Sequence, residues 1–84
     1  MNVGDLVGFG KRVGRWSAVQ GRAYTVPEFF GYVEGIKRAR GGGRILSVTV
    51  RRFDDVVSEF ARGAGLGVIS DAARDRYLRL GILT

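Results

Sequence analysis

The sequence predicts an α+β domain: a small antiparallel β part at the N-terminal side, followed by two C-terminal α-helices. Three observations carry this. Glycines and β-formers mix without a helical period through the first 24 residues, a period of two runs over 46–51, and apolar residues recur at helical spacing beyond residue 53. At 84 residues the chain fits a single domain, above the size at which cores usually need disulfides or metals. Within it, 1–52 reads as a basic β-rich part and 53–84 as a helical part.

Val3, Leu6, Val7, Phe9, Val13, Trp16, Val19 and Tyr24 are interrupted by Gly4, Gly8, Gly10, Gly14 and Gly21, a pattern of short strands and turns. Residues 25–40 admit two readings. Thr25-Val26-Pro27-Glu28 has capping-box spacing, with Phe29, Phe30, Val33 and Ile36 at helical intervals. Against a helix, Gly31 and Gly35 would each cost roughly 1 kcal/mol relative to alanine. A strand over Tyr32–Ala39, forming a hairpin across Gly41-Gly42-Gly43 with 44–52, is the reading carried forward. In that second strand Leu46, Val48 and Val50 face one way and Ser47, Thr49 and Arg51 the other. Beyond it, Asp54 or Asp55 would cap a helix with the stripe Phe53, Val56, Val57, Phe60, Ala61 and Ala64, ended by Gly63, Gly65 and Gly67. Ser70 would cap a second helix opening with Asp71. Ala73, Tyr77 and Leu80 would be its buried face, Arg76 and Arg79 would complement its C-terminal end, and Gly81 would take a left-handed cap with Ile82 touching Tyr77.

The composition narrows the function class. With no cysteine and no histidine, the chain lacks a thiolate nucleophile, a zinc knuckle and the usual general base near neutral pH. No catalytic residue, metal site or cofactor is therefore expected, and the chain reads as non-enzymatic. Gly8-Phe9-Gly10-Lys11 and Gly63-Ala64-Gly65-Leu66-Gly67 lack the spacing of phosphate-cradling loops, and Asp54, Asp55 and Glu59 have no partner base or nucleophile. No apolar run is long enough to span a bilayer, and Met1–Asp5 lacks the pattern of a signal peptide. A cytoplasmic protein is the expectation.

Charge is the informative feature. The formal net charge is +6, with 12 arginines against 2 lysines, and guanidinium forks suit phosphate. Residues 1–52 hold ten Lys/Arg and three Asp/Glu, while 53–84 hold four and five. Lys37, Arg38, Arg40, Arg44, Arg51 and Arg52 follow one another with no acidic residue among them. Together with the hydroxyls of Ser47 and Thr49 they form the leading candidate for a phosphate-backbone interface. A second cluster, Lys11, Arg12, Arg15 and Trp16, mixes cations with an aromatic ring, as stacking on unpaired bases requires. Phe9 in the same stretch reads as core.

Two resemblances follow from these motifs. Residues 46–80, with the strand Leu46–Arg51 and the Ser70-capped helix, resemble the ribbon-helix-helix repressors. That resemblance implies a homodimer in which Ser47, Thr49 and Arg51 read the major groove of DNA. Val3-Gly4-Asp5-Leu6-Val7 with Gly31-Tyr32-Val33-Glu34-Gly35-Ile36 resembles the opening strands of SH3-like barrels, including those of ribosomal proteins, and implies RNA in a ribonucleoprotein. The expectation is thus a small basic nucleic-acid-binding protein, with RNA favoured and a dimeric DNA-binding regulator as the alternative. A protein–protein adaptor using an apolar stripe around Phe60 and Tyr77 is a third. No membrane partner is expected.

Overall fold

The computed structural model describes residues 1–83. It is built on five antiparallel strands, β1 (Leu6–Ser17), β2 (Arg22–Arg38), β3 (Ile45–Arg52), β4 (Val57–Ala61) and β5 (Gly67–Val68), followed by one helix, α1 (Asp71–Arg79). The sheet order is β4-β3-β2-β1-β5. β2 runs the length of the molecule: its first half pairs with β1, from Arg22 opposite Ser17 to Tyr32 opposite Leu6. Its second half pairs with β3, ending at Arg38 opposite Ile45. The strand reading of 32–39 therefore holds, and the capping-box motif at Thr25 lies inside the strand.

The two expected C-terminal helices are one. Residues 57–61 form β4, paired with β3 from Arg51 opposite Val57 to Ser47 opposite Ala61. Asp54 and Asp55 cap no helix there. They form the β3–β4 turn, in which Arg52 N–H donates to the Val56 carbonyl at 2.9 Å and Asp55 takes a left-handed φ of 67°. The Asp54 carboxylate accepts from the Val56 N–H at 3.3 Å, a local bond that favours a turn over helix continuation. The β-branched pair Val56-Val57 then suits an extended strand. Of the supposed stripe, only Phe60 packs into the core; Phe53, Val56 and Val57 remain exposed.

The second helix forms as its punctuation dictates. Ser70 Oγ accepts from the Ala73 N–H at 3.1 Å. At the other end Gly81, at φ 71°, closes a Schellman motif: Gly81 N–H donates to the Leu78 carbonyl at 3.1 Å, and Ile82 N–H to the Tyr77 carbonyl at 3.0 Å.

Two apolar clusters hold these elements. Val7, Phe9, Val33, Val48 and Val50 fill one face of the sheet, with Phe60 against them. The Phe9 and Phe60 rings meet edge-on at 4.9 Å, although β1 and β4 are three strands apart. In a flat sheet that separation is about 14 Å, so the sheet is curled. On the opposite face Leu6, Val26, Phe30 and Leu83 are packed by Tyr77 and Ile82, which seats the helical segment on the β1–β2 hairpin. Ser17, 1% exposed, fixes this arrangement by donating its hydroxyl to the Leu80 carbonyl at 2.7 Å. No helix among the described residues is long and apolar enough to cross a membrane.

Candidate nucleic-acid interface

The leading basic segment is divided by its own strand geometry. At the β2–β3 turn the chain reverses through Gly41 (φ 90°) and Gly42 (φ 74°), held by Ala39 N–H donating to the Arg44 carbonyl at 2.8 Å. Lys37, Arg38, Arg40 and Arg44 are all exposed around this turn. None has a carboxylate oxygen of the described residues within ion-pairing distance. Only Arg38 bonds to protein, through a marginal 3.4 Å contact with the Gly43 carbonyl. Ser47 and Thr49 are half-buried beside them, on the face opposite the core positions Val48 and Val50. Ser47 lies between Lys37 and Ala61, and Thr49 between Gly35 and Glu59. The outer sheet face is thus mixed in sign away from the turn.

Arg51 and Arg52 do not join that group. Arg51 is ion-paired with Glu34 and lies 4.0 Å from Asp55; the Glu34 bond raises its pKa further above the ordinary arginine value. Arg52, one residue on, points to the other face as a strand requires. Its guanidinium sits 4.1 Å from the Phe29 ring centroid and is paired with Asp54. Their charges are already compensated within the protein, and they have the least to offer a phosphate.

The Asp54–Arg52 pair carries its own test. The Arg52 hydrogen bond, helped by the Val56 N–H, holds the Asp54 carboxyl below its ordinary value. A carboxyl lowered in the folded state stabilises the fold above the unfolded aspartate pKa, and that contribution is lost as pH falls through the lowered folded value. Carboxyl titration by NMR should show Asp54 titrating below the ordinary aspartate range. Arg52→Gln should raise its midpoint toward that range; an unchanged midpoint would remove Arg52 as the cause.

The second cluster is spread along β1. Between Phe9 and Arg12 the pairing slips through a bulge containing Gly10, at φ 83°, and this leaves Lys11 exposed. Arg12 Nη2 donates to the Thr25 carbonyl at 2.9 Å. Arg15 lines a cleft of about 330 Å³ that also contains Glu28, Phe29, Arg52 and Asp54, a mixed rather than anionic or cationic pocket. Trp16 is 67% exposed. Its register partner, Ala23, is too small to shield the indole. Phe9 is core, as its alternation with Gly8 and Gly10 suggests.

Sequence reasoning missed Arg62, which the helix reading set apart from the turn. Arg62 is exposed, and its N–H donates to the Leu46 carbonyl at 2.8 Å, which brings it to the same end of the sheet as Arg44. The two clusters singled out in the sequence do not merge. One surrounds the β2–β3 turn, and the other lies along the β1–β2 hairpin.

The ribbon-helix-helix resemblance fails on topology. That arrangement needs a strand free to pair with a second subunit and two helices after it; β3 has β2 on one edge and β4 on the other, and one helix follows. The adaptor stripe also dissolves, because Phe60 and Tyr77 belong to different apolar clusters. No group of three or more metal-ligating side chains occurs among the described residues. No protein-family model, no curated protein and no solved structure matches the chain.

Proposed function

We propose that this protein binds nucleic acid through arginine–phosphate contacts at the β2–β3 turn, acting as a small non-enzymatic component of a ribonucleoprotein in the cytoplasm. The observation that carries this reading is the set Lys37, Arg38, Arg40 and Arg44: four exposed cations around one turn with no carboxylate of the described residues within 4.0 Å. Like charges so placed repel, and a polyanion is the partner that relieves them. Ser47 and Thr49 add hydroxyl donors beside the turn. Trp16 offers an uncovered ring for stacking on an unpaired base, which favours RNA with single-stranded elements over plain duplex DNA.

The test is the salt dependence of binding to a structured RNA and to a DNA duplex. Four phosphate contacts predict that log K falls against log salt with a slope of about −3 to −4. A slope near zero, or no binding to either polymer, would remove the reading.

A protein-binding role is the second reading, and one observation favours it. Phe53, 42% exposed, stacks on Tyr32 at 5.6 Å between ring centroids, beside exposed Val56 and Val57. Association through that face would be comparatively insensitive to salt.

A further inference from the structure

We propose that the cleft between the β1–β2 hairpin tip and the last turn of α1 is a second phosphate-backbone site, so that one chain holds two nucleic-acid segments. This rests on the reading of the β2–β3 turn as a nucleic-acid site and extends it to the opposite end of β2.

The cleft, about 660 Å³, is lined by Val19, Gln20, Tyr24, Arg76, Arg79 and Leu80. Arg22 borders it, with its guanidinium carbon 4.7 Å from the Tyr24 ring centroid; that of Arg76 lies 5.9 Å from the same ring. Tyr24 thus gathers two guanidinium groups about one aromatic ring and limits their freedom before any ligand arrives. Arg79, one helical turn beyond Arg76, lines the same cleft.

An ordinary explanation for Arg76 and Arg79 is the helix terminus, whose exposed carbonyls attract cations. Here four of those carbonyls already have partners, which leaves that of Arg79. The Leu78 carbonyl accepts from Gly81, the Tyr77 carbonyl from Ile82, the Arg76 carbonyl from Leu80, and the Leu80 carbonyl from the Ser17 hydroxyl. Among the described residues, the side chains of Arg22, Arg76 and Arg79 make no hydrogen bond and no ion pair; the carboxylates of α1, Asp71 and Asp75, are both engaged by Arg74. Two guanidinium groups line the cleft and a third lies against its Tyr24 ring, their donors free and no carboxylate lining the cleft among the described residues. The chemistry that fits is a polyanion presenting several oxygens, as a phosphate backbone does.

The placement supplies the consequence. Arg22 and Arg38 are the first and last residues of β2, a strand of 17 residues that would extend about 53 Å if straight. The molecule itself is 49 Å long and about 20 Å across. Ser17, locked to Leu80, holds the hairpin tip against the helix, so the two cationic ends keep a fixed separation. A duplex shorter than the molecule cannot serve both ends.

The experiment uses an 8-base-pair duplex, about 27 Å long at 3.4 Å per pair, prepared as RNA and as DNA. Titration against the full chain should give two duplexes per chain. An immobilised duplex should capture a second, fluorescent one only when the protein is present. R76E/R79E should bind one duplex per chain and lose capture, and R38E/R40E/R44E should do the same from the other end. R76Q/R79Q should weaken the second site at least tenfold with an unchanged melting temperature, which separates loss of the site from loss of the fold. One duplex per wild-type chain, with R76E/R79E indistinguishable from it, would overturn the second site and leave the turn site standing. No binding by the wild-type chain would overturn both.

Discussion

Changing Arg38, Arg40 and Arg44 together to glutamate should lower affinity for RNA by ~100-fold or more at physiological salt, because three charges reverse sign where the phosphates would sit. The fold should be unaffected. All three side chains are exposed, none has an ion-pair partner among the described residues, and the turn is held by backbone bonds from Ala39 to Arg44 and from Gly42 to Ala39. The informative companion is Arg51→Gln. Arg51 belongs to the same dense run in the sequence, but its charge is engaged by Glu34 and Asp55, so its loss should change affinity by less than ~3-fold. Binding measured by fluorescence anisotropy, with circular dichroism on each variant, decides the matter. If the triple variant binds as the wild type does, the turn is not the interface. If Arg51→Gln costs as much as the triple change, the division of the run into free and compensated charges is wrong.

That division marks where the sequence was legible and where it was not. Period-two patterning over 46–51 reports which side chains face the core, and Val48 and Val50 are indeed buried. It also places Arg51 and Arg52 on opposite faces. It does not report that Glu34, some 17 residues away, lies across the ladder as the partner of Arg51, since such pairings depend on register. The helix at 71–79 was readable because its punctuation is local: Ser70, Asp71 and Gly81 act within a turn of themselves. The segment 53–61 was not. Phe53, Val56, Val57 and Phe60 satisfy a helical period, yet an unpaired edge of β3 was available and the Asp54-Asp55 turn delivered the chain to it. Tertiary pairing overrode the periodicity, and with it went the adaptor stripe. The two-ended charge distribution was likewise hidden, because it follows from β2 being a single strand of 17 residues.

Gly31→Ala should be strongly damaging for so conservative a substitution, lowering stability by about 2 kcal/mol or more. For a domain of this size that corresponds to a melting temperature reduced by about 8–16 °C. Gly31 is where β2 changes partners: it stands opposite Val7 of β1 on one side and Arg52 of β3 on the other. Backbones approach so closely there that a methyl group would lie 2.6 Å from the Arg51 carbonyl oxygen and 2.7 Å from Val50 Cγ1. The carbonyl cannot withdraw without shifting β3, and Val50 is fully buried, so neither neighbour gives way cheaply. Gly35, four residues along the same strand, provides the contrast. An added Cβ there meets nothing within 4 Å and its φ is not left-handed, so Gly35→Ala should leave stability unchanged or raise it by up to about 1 kcal/mol, through the reduced freedom of the unfolded chain. The two variants share a strand, a substitution and a change in propensity, which leaves space as the difference between them. Similar melting curves for both would mean that the sheet relaxes around Gly31. A large loss at Gly31 alone would show that this crossing is rigid, and both cationic ends of the molecule are held apart by the strand that passes through it.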